Sequence, residues 1–305
     1  MRKEKSCGGV VYKKIDGIYY FVIIQSVFGH FGFPKGHVEN DETEIETALR
    51  EIKEETNLDV SIDNNFKETI TYRLPKGDMK DVVFFVASYE DGDIIKQDTE
   101  ISSILLLRYD KAYNTITYDD ERQVLVKAMY YLLIKNASKI AVIGCPGSGK
   151  SYHSILLNKA TNLDLYHIDN IFWYGDWKQI TRDELTEKME EIVKKKNWIL
   201  DGNYIRTMSL RIEKADFVVY FKLNTNSCLN GYFYRLNHQE TRVGIPETCI
   251  ERYDEEFIEY IKQFKKYNKR IKELLDSINA NIITIRSKKQ RNKINTYLKQ
   301  YEKKL

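Results

Sequence analysis

Three glutamates share one short stretch with helical spacing. In the segment Gly36 to Leu58, Glu51, Glu54 and Glu55 fall within an arc of roughly 100° when each residue turns by about 100°. Ile45, Ala48, Leu49, Ile52 and Thr56 fall on the adjoining arc, which is expected to face a core. Like charges three and four residues apart repel and destabilise a helix. Arg50 stands at the edge of the acidic arc and cannot neutralise three carboxylates. A divalent cation can, and oxygen donors without His or Cys suit Mg2+ or Mn2+. The bland alternative is a solvated acidic helix face.

A second stretch suits anions. Gly144-Cys145-Pro146-Gly147-Ser148-Gly149-Lys150-Ser151 follows the apolar run Ile140–Ile143 and precedes a helix expected from Tyr152 to Asn158. Glycines let backbone N–H groups turn inward onto phosphates, at a helix N-terminus that already favours negative charge. The spacing GxxxxGK[ST] makes Gly144, Gly147, Ser148, Gly149, Lys150 and Ser151 the nucleotide-binding candidates, with ATP as the expected ligand. Lys150 would reach the β- and γ-phosphates, and Ser151 would hold Mg2+. The bland alternative is a structural glycine turn.

Both stretches need scaffolds, and two different patterns supply them. Residues 7–25 read as two strands separated by the hairpin signal Asp16-Gly17. A helix is expected over 41–56, capped by Asp41 with Glu44 as its capping-box partner. Strands are expected at 66–73, 82–89 and 103–108, a turn at Pro75-Lys76-Gly77-Asp78, and a closing helix at 119–135. That is an α+β pattern. After Asn136-Ala137-Ser138 strands alternate with helices, at 139–144, 163–168, 197–200, 216–223 and 281–285. This alternation argues an α/β unit with a parallel sheet. Residues 251–278 read as one long amphipathic helix with Phe257, Ile261, Phe264, Ile271, Leu275 and Ile278 on its stripe. Two domains are therefore expected, 1–137 and 138–305.

Composition narrows the class. With 42% apolar and 12% aromatic residues the chain is not of disordered type. No apolar run approaches the ~20 residues of a membrane helix. The first residues lack an apolar signal-peptide core, and Cys7, Cys145, Cys228 and Cys249 are widely spaced without a CxxC. A reduced, cytoplasmic chain with no membrane partner is the expectation. The net charge of +3 divides into −6 over residues 1–137 and +9 over 138–305, which points to different ligands for the two halves. Residues 262–305 carry 14 Lys and Arg against 3 acids. This excess reads as the solvated face of a helix plus a tail, and nothing in it reads as a nucleic-acid-binding motif.

The exact spacing around the glutamates resembles the Nudix box, Gx5Ex7REUxEExGU with U apolar. The matching residues are Gly36, Glu42, Arg50, Glu51, Ile52, Glu54, Glu55 and Leu58. Asn57 stands where the family has Gly, at a helix C′ position whose left-handed backbone Asn tolerates next best. The resemblance implies a Nudix fold, a mixed sheet between helices. It implies hydrolysis of a nucleoside diphosphate linked to another moiety, with Mg2+ or Mn2+. It makes Glu54 and Glu55 metal ligands, Glu51 a ligand or the base that activates water, Arg50 the group that orients them, and Glu100 a further carboxylate from a loop. Gly29-His30-Phe31-Gly32-Phe33-Pro34-Lys35-Gly36-His37, together with Tyr72 and Lys80, is similar to the corresponding segments of asymmetric dinucleoside tetraphosphate hydrolases. By that resemblance Lys35, His37, Lys76 and Lys80 would meet a polyphosphate, and Tyr72 or Phe85 would stack on a base. This resemblance covers roughly residues 5–135.

The second half resembles adenylate-kinase-like P-loop NTPase proteins, particularly those described as DNA-topology-modulation proteins. The matching residues are Tyr166-His167-Ile168-Asp169, Trp173, Trp177 and Trp198-Ile199-Leu200-Asp201-Gly202-Asn203-Tyr204. The resemblance implies a strand-end carboxylate, Asp169, that orients an acceptor, and phosphate-clamping arginines among Arg206, Arg211, Arg235 and Arg242. The sequence-level expectation is a dinucleoside polyphosphate hydrolase that cuts diadenosine tetraphosphate to ATP and AMP, joined to an ATP-binding, phosphoryl-transferring domain. The alternative is a Nudix hydrolase of another nucleoside-diphosphate-type or RNA 5′-end substrate, with a P-loop domain that senses nucleotide.

Overall fold

The computed structural model describes residues 3–75, 77–239 and 243–301. The chain divides into two compact units, with the boundary between Leu132 and Leu133. Among the described residues no helix is long and apolar enough to cross a membrane. All four cysteines are buried and none is in a disulfide.

The first unit begins with β1 (Lys3–Ile15) and β2 (Ile18–Ser26). Asp16 and Gly17 join them with φ of 49° and 85°, the left-handed pair that a tight two-residue hairpin requires. There follow β3 (Phe31–Gly32), β4 (Lys35–His37), α1 (Glu44–Thr56), β5 (Ser61–Arg73), β6 (Met79–Ser88), β7 (Ile101–Arg108), α2 (Tyr109–Thr115) and α3 (Asp119–Asn136). One seven-stranded sheet runs β3-β2-β1-β6-β5, with β4 also on β1 and β7 also on β2. The β1–β6 pairing is parallel and the others are antiparallel, so the sheet is mixed. Strand alternation then sorts the faces. Val83, Phe85 and Ala87 of β6 pack with Ala48 and Ile52 of α1. On the opposite face Phe66 and Glu68 of β5 meet Tyr131 and Lys127 of α3. The sheet lies between helices.

Two details of α1 differ from the sequence reading. Its cap is Thr43 with Glu46 as reciprocal partner, not Asp41 with Glu44, because Thr43 is the last extended residue. Leu49 is 37% exposed, while Ala48, Ile52 and Thr56 are fully buried. Strand β4 lies against the acidic edge of the helix instead, Gly36 under Glu51 and the Lys35 N–H on Glu55, and both glutamates are buried as well. Asn57 ends the helix in the left-handed region, with φ 61°.

The second unit is built on a five-stranded sheet of order β14-β13-β8-β12-β9, parallel throughout. Its elements are β8 (Lys139–Gly144), α4 (Lys150–Thr161), β9 (Leu165–His167), α5 (Ile168–Phe172), β10 (Trp173–Tyr174), β11 (Lys178–Gln179), α6 (Arg182–Lys194), β12 (Trp198–Asp201), α7 (Met208–Ile212), β13 (Phe217–Phe221), α8 (Thr225–Asn237), α9 (Glu255–Gln263), α10 (Asn268–Asp276), β14 (Asn281–Ile285) and α11 (Lys288–Leu298). The helix after the glycine turn starts at Lys150, not Tyr152. The expected long helix at 251–278 is broken. A 3-10 turn, Phe264–Tyr267, separates α9 from α10. Tightening that turn brings residues three apart into line. Phe264 and Tyr267 sit ring to ring at 5.7 Å, and Ile261, Phe264, Ile271 and Leu275 all remain in the core.

Candidate functional site

Arg50 organises the glutamate helix. Its Nε and Nη2 donate to the two Glu42 carboxylate oxygens at 2.7 and 3.0 Å. Nη1 donates to Glu51 Oε1 at 2.9 Å and Glu54 Oε2 at 3.3 Å, and Nη2 also reaches the His37 carbonyl at 2.9 Å. These contacts hold Arg50 firmly protonated and hold the Glu42 carboxyl down at about 2. At sequence level Arg50 sat at the edge of the acidic arc. In the fold it is engaged by three carboxylates.

Glu55 and Glu51 are the buried acids. Burial pushes the Glu55 carboxyl up to about 8, against the opposing pull of the Lys35 backbone N–H, which donates to Glu55 Oε2 at 2.8 Å. Burial also raises Glu51, with Arg50 opposing and Glu54 and Glu100 adding to the rise. The Glu51 carboxylate lies over Gly36, where an added Cβ would come within 2.1 Å of it. The close approach explains glycine at that position. Glu100 lies on the turn before β7, exposed, within electrostatic reach of Glu51 and Glu55.

The donor chemistry fits a hard divalent cation, since Glu51, Glu54, Glu55 and Glu100 all offer carboxylate oxygens and Glu54 and Glu100 bear electrostatically on Glu51. As the side chains stand, no three acidic, His or Cys groups among the described residues converge to hold an ion. Arg50 takes up the facing oxygens of Glu51 and Glu54.

A basic and aromatic cluster adjoins these acids. His37 Nε2 lies 3.3 Å from Lys80 Nζ. Burial pushes the Lys80 ammonium down, and Lys35 adds to the effect while Glu4 and Glu51 oppose it. Tyr72 stands across from Lys80 in the β5–β6 register and is 36% exposed. Burial raises its hydroxyl, with Lys35, Glu121 and Tyr118 in electrostatic reach. Lys35, His37, Tyr72 and Lys80 are thus brought together. Phe85 is not with them: it is 3% exposed and belongs to the core, so it cannot stack on a ligand. Lys76 lies outside the described residues.

Glu121 joins this cluster from α3. It is 5% exposed, accepts from the Phe33 N–H at 3.2 Å and pairs with Lys35 Nζ at 3.6 Å. His30 and Tyr118 face each other nearby at 5.2 Å. Sequence reasoning gave no role to Glu121 or Tyr118, placed His30 only within the matched segment 29–37, and missed Glu42 as the Arg50 partner. Glu121 reads locally as one of three acids in a helix's first turn, which carries no functional signal.

In the second unit the glycine turn joins β8 to α4. Gly144, Gly147 and Gly149 have φ of 136°, 74° and 89°, a conformation that side-chain-bearing residues rarely adopt. Lys150 is 9% exposed and its Nζ donates to the Cys145 carbonyl at 2.9 Å. The Ser148 hydroxyl is buried without a partner, and Ser151 lies half-buried in the first turn of α4. Asp169, expected at a strand end, belongs instead to the first turn of α5, two residues beyond the last residue of β9, and accepts from the Tyr204 hydroxyl at 2.8 Å. Asp201 ends β12 in register with His167 of β9 and accepts from His167 Nδ1 at 2.8 Å.

The arginines separate. Arg211 is fully buried and donates to the carbonyls of Gly202, Asn203, Tyr204 and Thr207, so it stabilises a loop and is not a phosphate clamp. Arg206 pairs with Asp183 in solvent. Arg235, in the last turn of α8, pairs with the buried Glu251 at 3.3 Å. Arg242 lies outside the described residues.

Comparison with known proteins bears on the first unit. The NUDIX domain family model matches residues 13–128. A bis(5'-nucleosyl)-tetraphosphatase [asymmetrical] of Caenorhabditis elegans is 29% identical over 133 residues, 42% of this chain and 96% of the relative. Its counterpart from Sus scrofa is 28% identical over 140 residues, 42% of this chain and 95% of the relative. An 8-oxo-(d)GTP phosphatase of Mycolicibacterium smegmatis is 33% identical over 104 residues, 34% of this chain and 31% of the relative. The capped glutamate helix, Arg50 and the strand that presents Lys35 all fall inside the matched span, and residues 13–128 are a NUDIX domain.

Proposed function

We propose that the first unit is a metal-dependent Nudix hydrolase of dinucleoside polyphosphates, cutting a four-phosphate substrate asymmetrically to ATP and AMP. The observation that carries the reading is that two buried carboxylates, Glu51 and Glu55, lie within electrostatic reach of the adjoining cations Lys80 and Lys35. Its similarity to the two asymmetrical tetraphosphatases supports the substrate class. In this reading Lys35, His37 and Lys80 hold the phosphate chain, and Tyr72 covers a base. Arg50 fixes the rotamers of Glu51 and Glu54 through its fork of donors. The Lys35 N–H fixes Glu55, so that strand β4 couples phosphate binding to carboxylate position. A divalent ion held by Glu51, Glu54 and Glu55, with Glu100 alongside, would neutralise phosphate charge and acidify a bound water.

For residues 138–305 the proposal is ATP binding at 144–151 with phosphoryl transfer. Lys150 and the loop amides would hold phosphates, Ser151 the magnesium, and Asp169 the acceptor. The left-handed glycines and the unpartnered Ser148 hydroxyl support it. A screen of nucleotides with chromatographic product analysis tests both halves. Hydrolysis of no dinucleoside polyphosphate would reject the first reading. Absence of ATP turnover by the full chain with any nucleotide acceptor would leave the second half a nucleotide sensor.

A further inference from the structure

An arginine that the sequence reading leaves in a basic tail stands on the glycine loop. Arg291 belongs to α11, 143 positions from the loop residue it touches: Nη1 donates to the Ser148 carbonyl at 2.9 Å. Its Nε and Nη2 donate to Asn292 Oδ1 at 3.2 and 3.1 Å. A Cβ on Gly149 would lie 2.8 Å from Arg291 Nη1, so this cation is packed directly on the loop backbone. Lys150 is buried at the same loop and donates to the Cys145 carbonyl. Both cations are within electrostatic reach of one side chain, the Cys228 thiol. Among the described residues neither has an acidic partner.

Lys150 is buried and Arg291 half-buried, both against neutral oxygens alone, and an anion bound at the loop would offset the cost of that desolvation. The buried Ser148 hydroxyl adds an unused donor, and the start of α4 adds its own partial positive charge. The contacts of Arg291 leave one N–H on each terminal nitrogen for such an anion.

We propose that Arg291 is a second phosphate-binding cation of this loop, contacting the phosphate chain of a bound nucleoside di- or triphosphate while Nη1 keeps the Ser148 carbonyl. The inference rests on the reading of 144–151 as a phosphate loop. It makes α11 part of the nucleotide site and not only a solvated basic helix.

The test is calorimetric titration of MgATP into the full chain, comparing wild type with Arg291→Gln, Arg291→Lys and Lys150→Ala. Glutamine keeps a side-chain N–H donor but carries no charge. Arg291→Gln should weaken ATP binding by roughly tenfold to a hundredfold, the scale of a lost charge-assisted contact, while Arg291→Lys keeps most of the affinity. Wild-type affinity in Arg291→Gln, with Lys150→Ala impaired, overturns the Arg291 assignment and leaves the phosphate loop standing. No ATP binding by wild type, or binding indifferent to Lys150→Ala, overturns the loop reading and the inference with it. Should Arg291→Gln fail to fold, phenylglyoxal labelling of wild type decides. ATP should shield Arg291 in the peptide mass spectrum, and equal labelling with and without ATP overturns the assignment.

Discussion

The Glu55 carboxylate accepts a hydrogen bond from the backbone N–H of Lys35 at 2.8 Å. One end of the contact is on the glutamate helix and the other on the short strand whose side chains face Lys80 and Glu121. Glu55→Gln keeps the size of the side chain and a carbonyl acceptor for that N–H. It should fold and should lower kcat for hydrolysis by on the order of 10²–10⁴-fold, the scale of lost metal-assisted catalysis. Full activity in the folded variant, or insensitivity of wild type to EDTA, would remove Glu55 from the metal site.

Gly36→Ala is the matching steric test. The new methyl would collide with the Glu51 carboxylate, which has to move. Activity should fall on the order of 10²-fold, as for comparable misplacements of a catalytic group. The thermal stability of the variant, read in parallel, separates displacement from unfolding. Undiminished activity in the Gly36→Ala variant would show that the Glu51 position is unimportant.

Cleavage regiochemistry is read best in Lys150→Ala, in which the proposed phosphoryl transfer by the second unit would be lost. Diadenosine tetraphosphate should give ATP and AMP as first products. Two ADP from that variant would exclude the asymmetric mode.

ATP and AMP are also the substrates an adenylate-kinase-like unit would take. Wild type should therefore carry the reaction on to ADP, and Lys150→Ala should stop at ATP plus AMP. Time courses of ADP at equal protein concentration decide. Identical traces without ADP above background would leave the acceptor of residues 138–305 open.

His153 gives a pH signature for the second unit. It is fully buried, with Nδ1 2.7 Å from Asn295 Oδ1. Burial depresses its imidazole to about 4, below the unfolded value, while the Asn295 contact opposes the drop. The neutral form is favoured in the fold. Its contribution is therefore complete above the unfolded value of about 6.5 and is lost as pH falls toward 4. His153→Gln should flatten the loss of melting temperature of that unit between those limits. An unchanged slope would show that His153 does not titrate with unfolding.

The sequence alone determined what depends on neighbours along the chain. Helical periodicity places Glu51, Glu54 and Glu55 on one arc, and Asn57 ends that helix because Asn tolerates a left-handed backbone. Asp16-Gly17 and the glycines at 144, 147 and 149 mark turns whose φ values the fold adopts, because the preference lies in those residues themselves. Even there, competition between near-equal local options misled it, as with Asp41 against Thr43 for the cap. What only the tertiary structure decided is who meets whom over long separations. Burial of Glu51 and Glu55 follows from strand β4, which lies against them, and their raised carboxyls follow from that burial. Glu121 reaches Phe33 from 88 positions away and Lys35 from nearly as far, and Arg291 reaches Ser148 from 143. Arg211, read as a phosphate clamp, is instead closed over by loop carbonyls. No periodicity or motif encodes such pairings, because they are set by strand order and helix packing and not by local conformational preference.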